Sequence, residues 1–281
     1  MGREKDFVLL INKMEKSLLE REGTWKQTTA LLAEAVEKAT EAFLLEALVL
    51  KTASLLRPMR RKDRRALVDE LLRHREALAG CTHPQMFSKL VKVEEQKDPS
   101  RNVDVLRLLS AMNTKNNIEV FLFISKAVLS QNTEEVWHGL GALETYCEQS
   151  DTIPDRLEDY LTGVYTKKCG KAPRPLLKKF LFVLGRVSKT LAEKRTTFLF
   201  YCQLCDDAQP RTAAVFMDCF AALKDMPELR LETLAYLFRL LRSDATDTIV
   251  KRKAGYLLRK EYQQTPGEDS DGFCSEEWLT N

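Results

Sequence analysis

The chain has 281 residues, of which 44% are hydrophobic and 30% charged, and its 44 Lys and Arg stand against 41 Asp and Glu for a formal net charge of +3. That length can bury a substantial core without disulfides or metals, and so small a net charge does not by itself mark a nucleic-acid binder, so electrostatic arguments rest on local clusters. The seven cysteines (Cys81, Cys147, Cys169, Cys202, Cys205, Cys219 and Cys274) are odd in number and scattered mostly through apolar stretches, which suits reduced thiols and predicts cytosol or nucleus.

Residues Met1 to Lys16 mix acids and bases without an apolar h-region, so they do not read as a secretory signal. Asp6 stands where the myristoylation pattern after Gly2 requires Ser or Thr. Phe7, Ile11, Met14 and Leu18 recur at helical spacing up to Gly23, a favourable helix end. Thr24 and Gln27 match a capping box, and the helix they open is expected to run to Leu56, because Pro58 disfavours helical angles at Arg57. Its stripe is Leu32, Val36, Ala39, Phe43, Leu50 and Ala53, interrupted by Glu46. Two such helices joined at Gly23 predict an antiparallel hairpin. A helix from Asp63 to Ala79 ends at Gly80, and another starts at Pro84. The polar connection from Glu94 to Ser100 suggests a boundary, dividing residues 1–97 from 98–263, with Pro99 at the first position of the next helix.

Beyond that boundary, Val103 to Met112 and Ile118 to Leu129 form a pair. The second is apolar nearly all round, which predicts a central buried helix, and it is too short to span a bilayer. Asn132 and Glu135 then match a fresh capping box. Further starts at Pro154, Pro173, Lys189, Gln209, Pro227 and Asp244 recur about every 17 to 21 residues, each followed by one amphipathic segment. In this beat the chain resembles HEAT or armadillo type α-solenoids, a resemblance of fold pattern over roughly the C-terminal half that carries no consensus repeat. It implies an all-α protein, an N-terminal hairpin followed by an irregular solenoid; a single irregular helical bundle is the alternative reading.

The chemistry-bearing motifs are incomplete. Cys202 and Cys205 form a CxxC, but only Cys219 follows within range and no histidine lies downstream of His138, so structural cysteines are the simpler account. Glu135 and His138 are one ExxH, and the second copy that a dimetal carboxylate bundle needs is missing. Asp206 and Asp207 begin an aspartate-rich pattern that Pro210 breaks. There is no GxxxxGK[ST] and no GxGxxG. The sequence therefore calls for no metal and no cofactor, and a non-enzymatic role is expected.

Charge is segregated. Arg57, Arg60, Arg61, Lys62, Arg64 and Arg65 crowd one helix start against Asp63, where a cluster of cations opposes the helix dipole and hints at an external anion. A second basic region holds Lys167, Lys168, Lys171, Arg174, Lys178 and Lys179, continuing through Arg186, Lys189, Lys194 and Arg195. It follows an acidic stretch with Glu134, Glu135, Glu144, Glu148, Asp151, Asp155, Glu158 and Asp159. The tail, residues 264–281, has the composition of a disordered segment, yet keeps Phe273, Trp278 and Leu279 among its acids, the make-up of a docking peptide. The sequence thus predicts a scaffold offering a basic surface to a protein partner, in cytoplasm or nucleus and away from membranes, with RNA or DNA binding by the same basic patches as the second reading.

Overall fold

A computed structural model describes residues 2–19, 25–39, 42–56, 61–94, 99–151, 156–169, 171–223 and 226–263. Arg57, Arg60 and the tail residues Phe273, Trp278 and Leu279 lie outside them, as do the junctions at Gly23 and Pro154. The regular elements among the described residues are all helical. In chain order they are α1 (Gly2–Leu19), α2 (Trp25–Lys38), α3 (Ala42–Leu56), α4 (Arg61–Arg73), α5 (Arg75–Ala79), α6 (Pro84–Glu94), α7 (Pro99–Leu109), α8 (Ile118–Leu129) and α9 (Thr133–Gln149). They continue with α10 (Leu157–Lys168), α11 (Arg174–Val187), α12 (Leu191–Asp207), α13 (Pro210–Phe216), a 3-10 segment (Met217–Leu223), α14 (Pro227–Arg242) and α15 (Thr248–Gln263). None is long and apolar enough to cross a membrane. Contacts divide the chain into two compact units, Met1–Asp155 and Arg156–Asn281.

In the first unit α1 packs on α2, α3 on α6, and α7 on both α4 and α9. The expected helix from Thr24 to Leu56 is two helices, and Ala39, at the end of α2, shares its N–H between the carbonyls of Ala35 and Val36. This division alters the expected stripe: Leu32, Val36 and Ala53 are buried, whereas Phe43 is 51% exposed. Glu46, which broke the apolar pattern, accepts hydrogen bonds from the backbone N–H groups of Thr82 (3.1 Å) and His83 (2.9 Å), just before α6. It binds the two N–H groups of the chain that leads into the helix. The helix expected from Asp63 to Ala79 breaks at His74 into α4 and α5.

The helix α8 begins where the sequence places it, with Asn117 accepting from the N–H of Val120 at 3.1 Å. It is not buried all round. Val120, Phe123, Ile124, Ala127 and Val128 face α9 and its neighbours, while Ile118, Leu122 and Leu129 are 60%, 53% and 49% exposed. The close contact with α9 depends on Gly139, where a Cβ would stand 3.2 Å from that of Ala127. At the start of α9 the expected capping box is half made: Asn132 accepts from the N–H of Glu135 at 3.0 Å. The Glu135 carboxylate instead accepts from Asn102 (2.7 Å) and the Ser130 hydroxyl.

In the second unit α10 packs on α11, α12 on α13, and α14 on α15. Pro173, Pro210 and Pro227 stand at or beside helix starts, where a missing N–H costs nothing. Thr190 and Glu193 form a full capping box at the start of α12. Burial works against ionisation of Glu193, but hydrogen bonds from Thr190 and Lys189 outweigh it and hold the carboxyl below its usual range. The segment after Gln209 tightens from α13 into the 3-10 segment, which packs on α11. There Gly185 is obligatory: a Cβ would meet Ala222 Cβ at 2.8 Å and Tyr201 Oη at 2.9 Å. Tyr201 is buried and donates its hydroxyl to the carbonyl of Leu181. Around it the rings of Tyr165, Phe180, Phe198, Phe216, Phe220 and Tyr236 meet edge-on or tilted, so Phe180 and Phe198, near the second basic region, are core.

Candidate interaction surfaces

In the first basic cluster the described guanidinium groups bind carboxylates of the same unit, Arg64 in the core and Arg61 and Arg65 nearer the surface. Arg64 is 3% exposed, its Nε donating to Asp104 Oδ2 at 2.8 Å and its terminal nitrogen to the Ser100 hydroxyl. Burial pushes the Asp104 carboxyl above its usual range, against the opposing pull of Arg64, Arg107 and Arg65. Arg61 and Arg65, one turn apart on α4, both bind Glu134 at the start of α9. Arg107 on α7 binds Asp69 on α4. The acidic and basic stretches read from the sequence thus meet within this unit, and four guanidinium groups join α4 to α7 and α9. Lys62 is exposed on α4.

The second basic region divides into two sets. Lys178 on α11 binds Asp218 in the 3-10 segment at 2.7 Å, and Lys253 on α15 binds the other oxygen of the same carboxylate. Burial of Asp218 disfavours its charge, but these two ammonium groups prevail and hold it below the ordinary aspartate range. Arg195 binds Glu232, while Lys194 is buried and Lys179 half-buried. The other set gathers at the corner where α10 ends and α11 begins. Lys167, Lys171 and Arg174 are all exposed there and form no ion pair among the described residues. Lys168, between them in sequence, is partly buried, which lowers its pKa.

A third surface was not singled out in the sequence. Met217, Phe220, Leu234, Leu237 and Leu257 line a cavity of about 180 Å³ between the 3-10 segment, α14 and α15, with Arg230 and Lys260 at its margin. Beside it, Leu231 and Phe238 of α14 are 70% and 49% exposed. The helix α15 carries Lys251, Arg252, Lys253, Arg259 and Lys260 against a single acid, Glu261. The signal that could have found it is this run of cations directly before an acidic tail.

The cysteine pair of α12 is packing material. Burial, reinforced by Asp206, pushes the Cys202 thiol up to about 12, and burial also raises Cys205. The Asp206 carboxylate accepts from the Tyr236 hydroxyl (2.9 Å) and from Arg239 (2.8 Å), fixing α14 to α12. Among the described residues no group of three or more His, Cys, Asp or Glu is placed to share a metal ion. Searches against protein-family models and against curated proteins find no match to the chain.

Proposed function

We propose that the protein is a non-enzymatic interaction scaffold whose corner between α10 and α11 holds an acidic segment of a partner protein. The observation that carries this reading is selective pairing. Arg61, Arg64, Arg65, Arg107, Lys178, Arg195 and Arg239 are committed to internal carboxylates, whereas Lys167, Lys171 and Arg174 are exposed with no carboxylate partner among the described residues. Arg174 also opens α11, where the helix dipole disfavours a cation and an external anion relieves it. The pairing of α1 with α2, α8 with α9, α10 with α11, α12 with α13 and α14 with α15 supports HEAT or armadillo type stacking as the framework, and the tail beyond Gln263 supplies a second element, a docking peptide.

Nucleic-acid backbone is the second reading, because the same exposed cations would serve phosphates. Fluorescence anisotropy with two labelled probes, an Asp- and Glu-rich peptide and a single-stranded RNA, separates the two. The scaffold reading requires the peptide to bind and the RNA not to; RNA binding that weakens log-linearly with salt establishes the second reading instead.

A further inference from the structure

We infer that the acidic tail of this chain docks in cis on its own face formed by α14 and α15, with Trp278 seated in the cavity between the 3-10 segment, α14 and α15. The cavity is apolar where Phe220 and Leu237 are buried and cationic at its more exposed margin, where Arg230 and Lys260 stand, while Asp218, the acid in its lining, is taken up by Lys178 and Lys253. At about 180 Å³ it is smaller than a typical small-molecule pocket and of a size for one large side chain. Leu231, Leu234 and Phe238 fall on one side of α14 by helical spacing and extend the apolar strip beside the opening. Lys253 and Lys260, seven residues apart, share the face of α15 that carries Leu257 toward the 3-10 segment, as the bond from Lys253 to Asp218 fixes.

The occupant is chosen by charge and by connection. Residues 264–281 carry Glu268, Asp269, Asp271, Glu276 and Glu277 and not one Lys or Arg, while α15 carries five cations against Glu261. Glu276 and Glu277 directly precede Trp278 and Leu279, so a ring in the cavity brings two carboxylates to the cationic margin. The tail continues from α15 itself, and the fifteen residues from Gln264 to Trp278 can extend to roughly 50 Å, far more than the single helical turn back to Lys260. Exposed ion pairs are individually weak, so the ring supplies the specificity. Tethering raises the effective concentration to about millimolar, which keeps a weak contact occupied. This assignment rests on the reading of the tail as a docking segment and not on the corner between α10 and α11.

The test is zero-length carbodiimide cross-linking of the full chain at low salt, followed by mass spectrometry of the monomer and dimer fractions. The expected result is linkage of Lys260 or Lys253 to Glu276 or Glu277 in the monomer, falling several-fold in Trp278→Ala, a change outside every described helix. Absence of these links from the monomer overturns the proposal. So does their confinement to the dimer, which leaves a docking tail but gives it to a second copy, or their persistence undiminished in Trp278→Ala, which reduces the contact to unspecific charge attraction.

Discussion

Arg64 and Asp104 form a buried ion pair between α4 and α7, with Nε and Oδ2 2.8 Å apart and the side chains 4% and 1% exposed. Oδ1 of the same aspartate has no hydrogen-bond partner among the described residues. Removing one member of such a pair leaves an uncompensated charge in the core, whereas replacing both by apolar groups of similar size removes the desolvation penalty as well. Asp104→Ala is therefore expected to destabilise the first unit by about 3–5 kcal/mol. The double change Arg64→Met with Asp104→Leu is expected to recover most of that loss. Urea unfolding followed by circular dichroism measures both.

The Asp218 carboxylate, held between Lys178 and Lys253, gives the second unit an acid-sensitive contact. Its folded-state pKa lies below the ordinary value of 3.8, so its contribution is fully present above that value and is lost as pH falls through the lower folded pKa. Partial solvent exposure limits the effect to about 1 kcal/mol or less. Asp218→Asn is expected to lower stability at neutral pH and to flatten the acid limb of a stability profile, read by urea unfolding at a series of pH values.

At Gly185 the helix α11 approaches Tyr201 and Ala222 too closely for any side chain. Gly185→Ala is expected to cost about 1–3 kcal/mol by overpacking. Tyr201→Phe, which removes only the hydroxyl bonded to Leu181, is expected to cost about 0.5–1.5 kcal/mol. Thermal unfolding of the two variants should rank them in that order.

Thiol reactivity reports the same packing. Burial pushes the Cys81 and Cys219 thiols up to about 12, while Cys169 is exposed. Native protein treated with a thiol-specific disulfide reagent near pH 8 is expected to be modified rapidly at Cys169. Cys81, Cys205 and Cys219 are expected to react only on unfolding, as peptide mapping of the modified sites would establish.

The local signals in the sequence were legible because they act within a turn or two. Pro84, Pro99, Pro173 and Pro227 mark helix starts, and Asn132 caps its own, since a cap needs only its own first turn. The 3-10 segment was not legible, because its tightening answers the packing of Gly185 against Ala222, a contact between residues far apart in sequence. The same holds for α8, whose composition is apolar nearly all round but whose neighbours cover only one side. Charge clusters misled most: Arg64 and Arg65 read alike in sequence, and only the position of α7 decides that one is buried against Asp104. The cavity beside α15 is assembled from three elements, so no single segment announced it.

The corner between α10 and α11 is proposed as a binding surface because its exposed cations have no carboxylate partner among the described residues. The direct measurement is the affinity of the full chain for an acidic peptide probe, compared with the triple variant Lys167→Glu, Lys171→Glu and Arg174→Glu, alongside Lys178→Gln as a control in which an internally paired cation is removed. Loss of binding in the triple variant, with helicity unchanged and the control close to wild type, is the predicted result. Equal binding by the triple variant, or equal loss in the control, would contradict it.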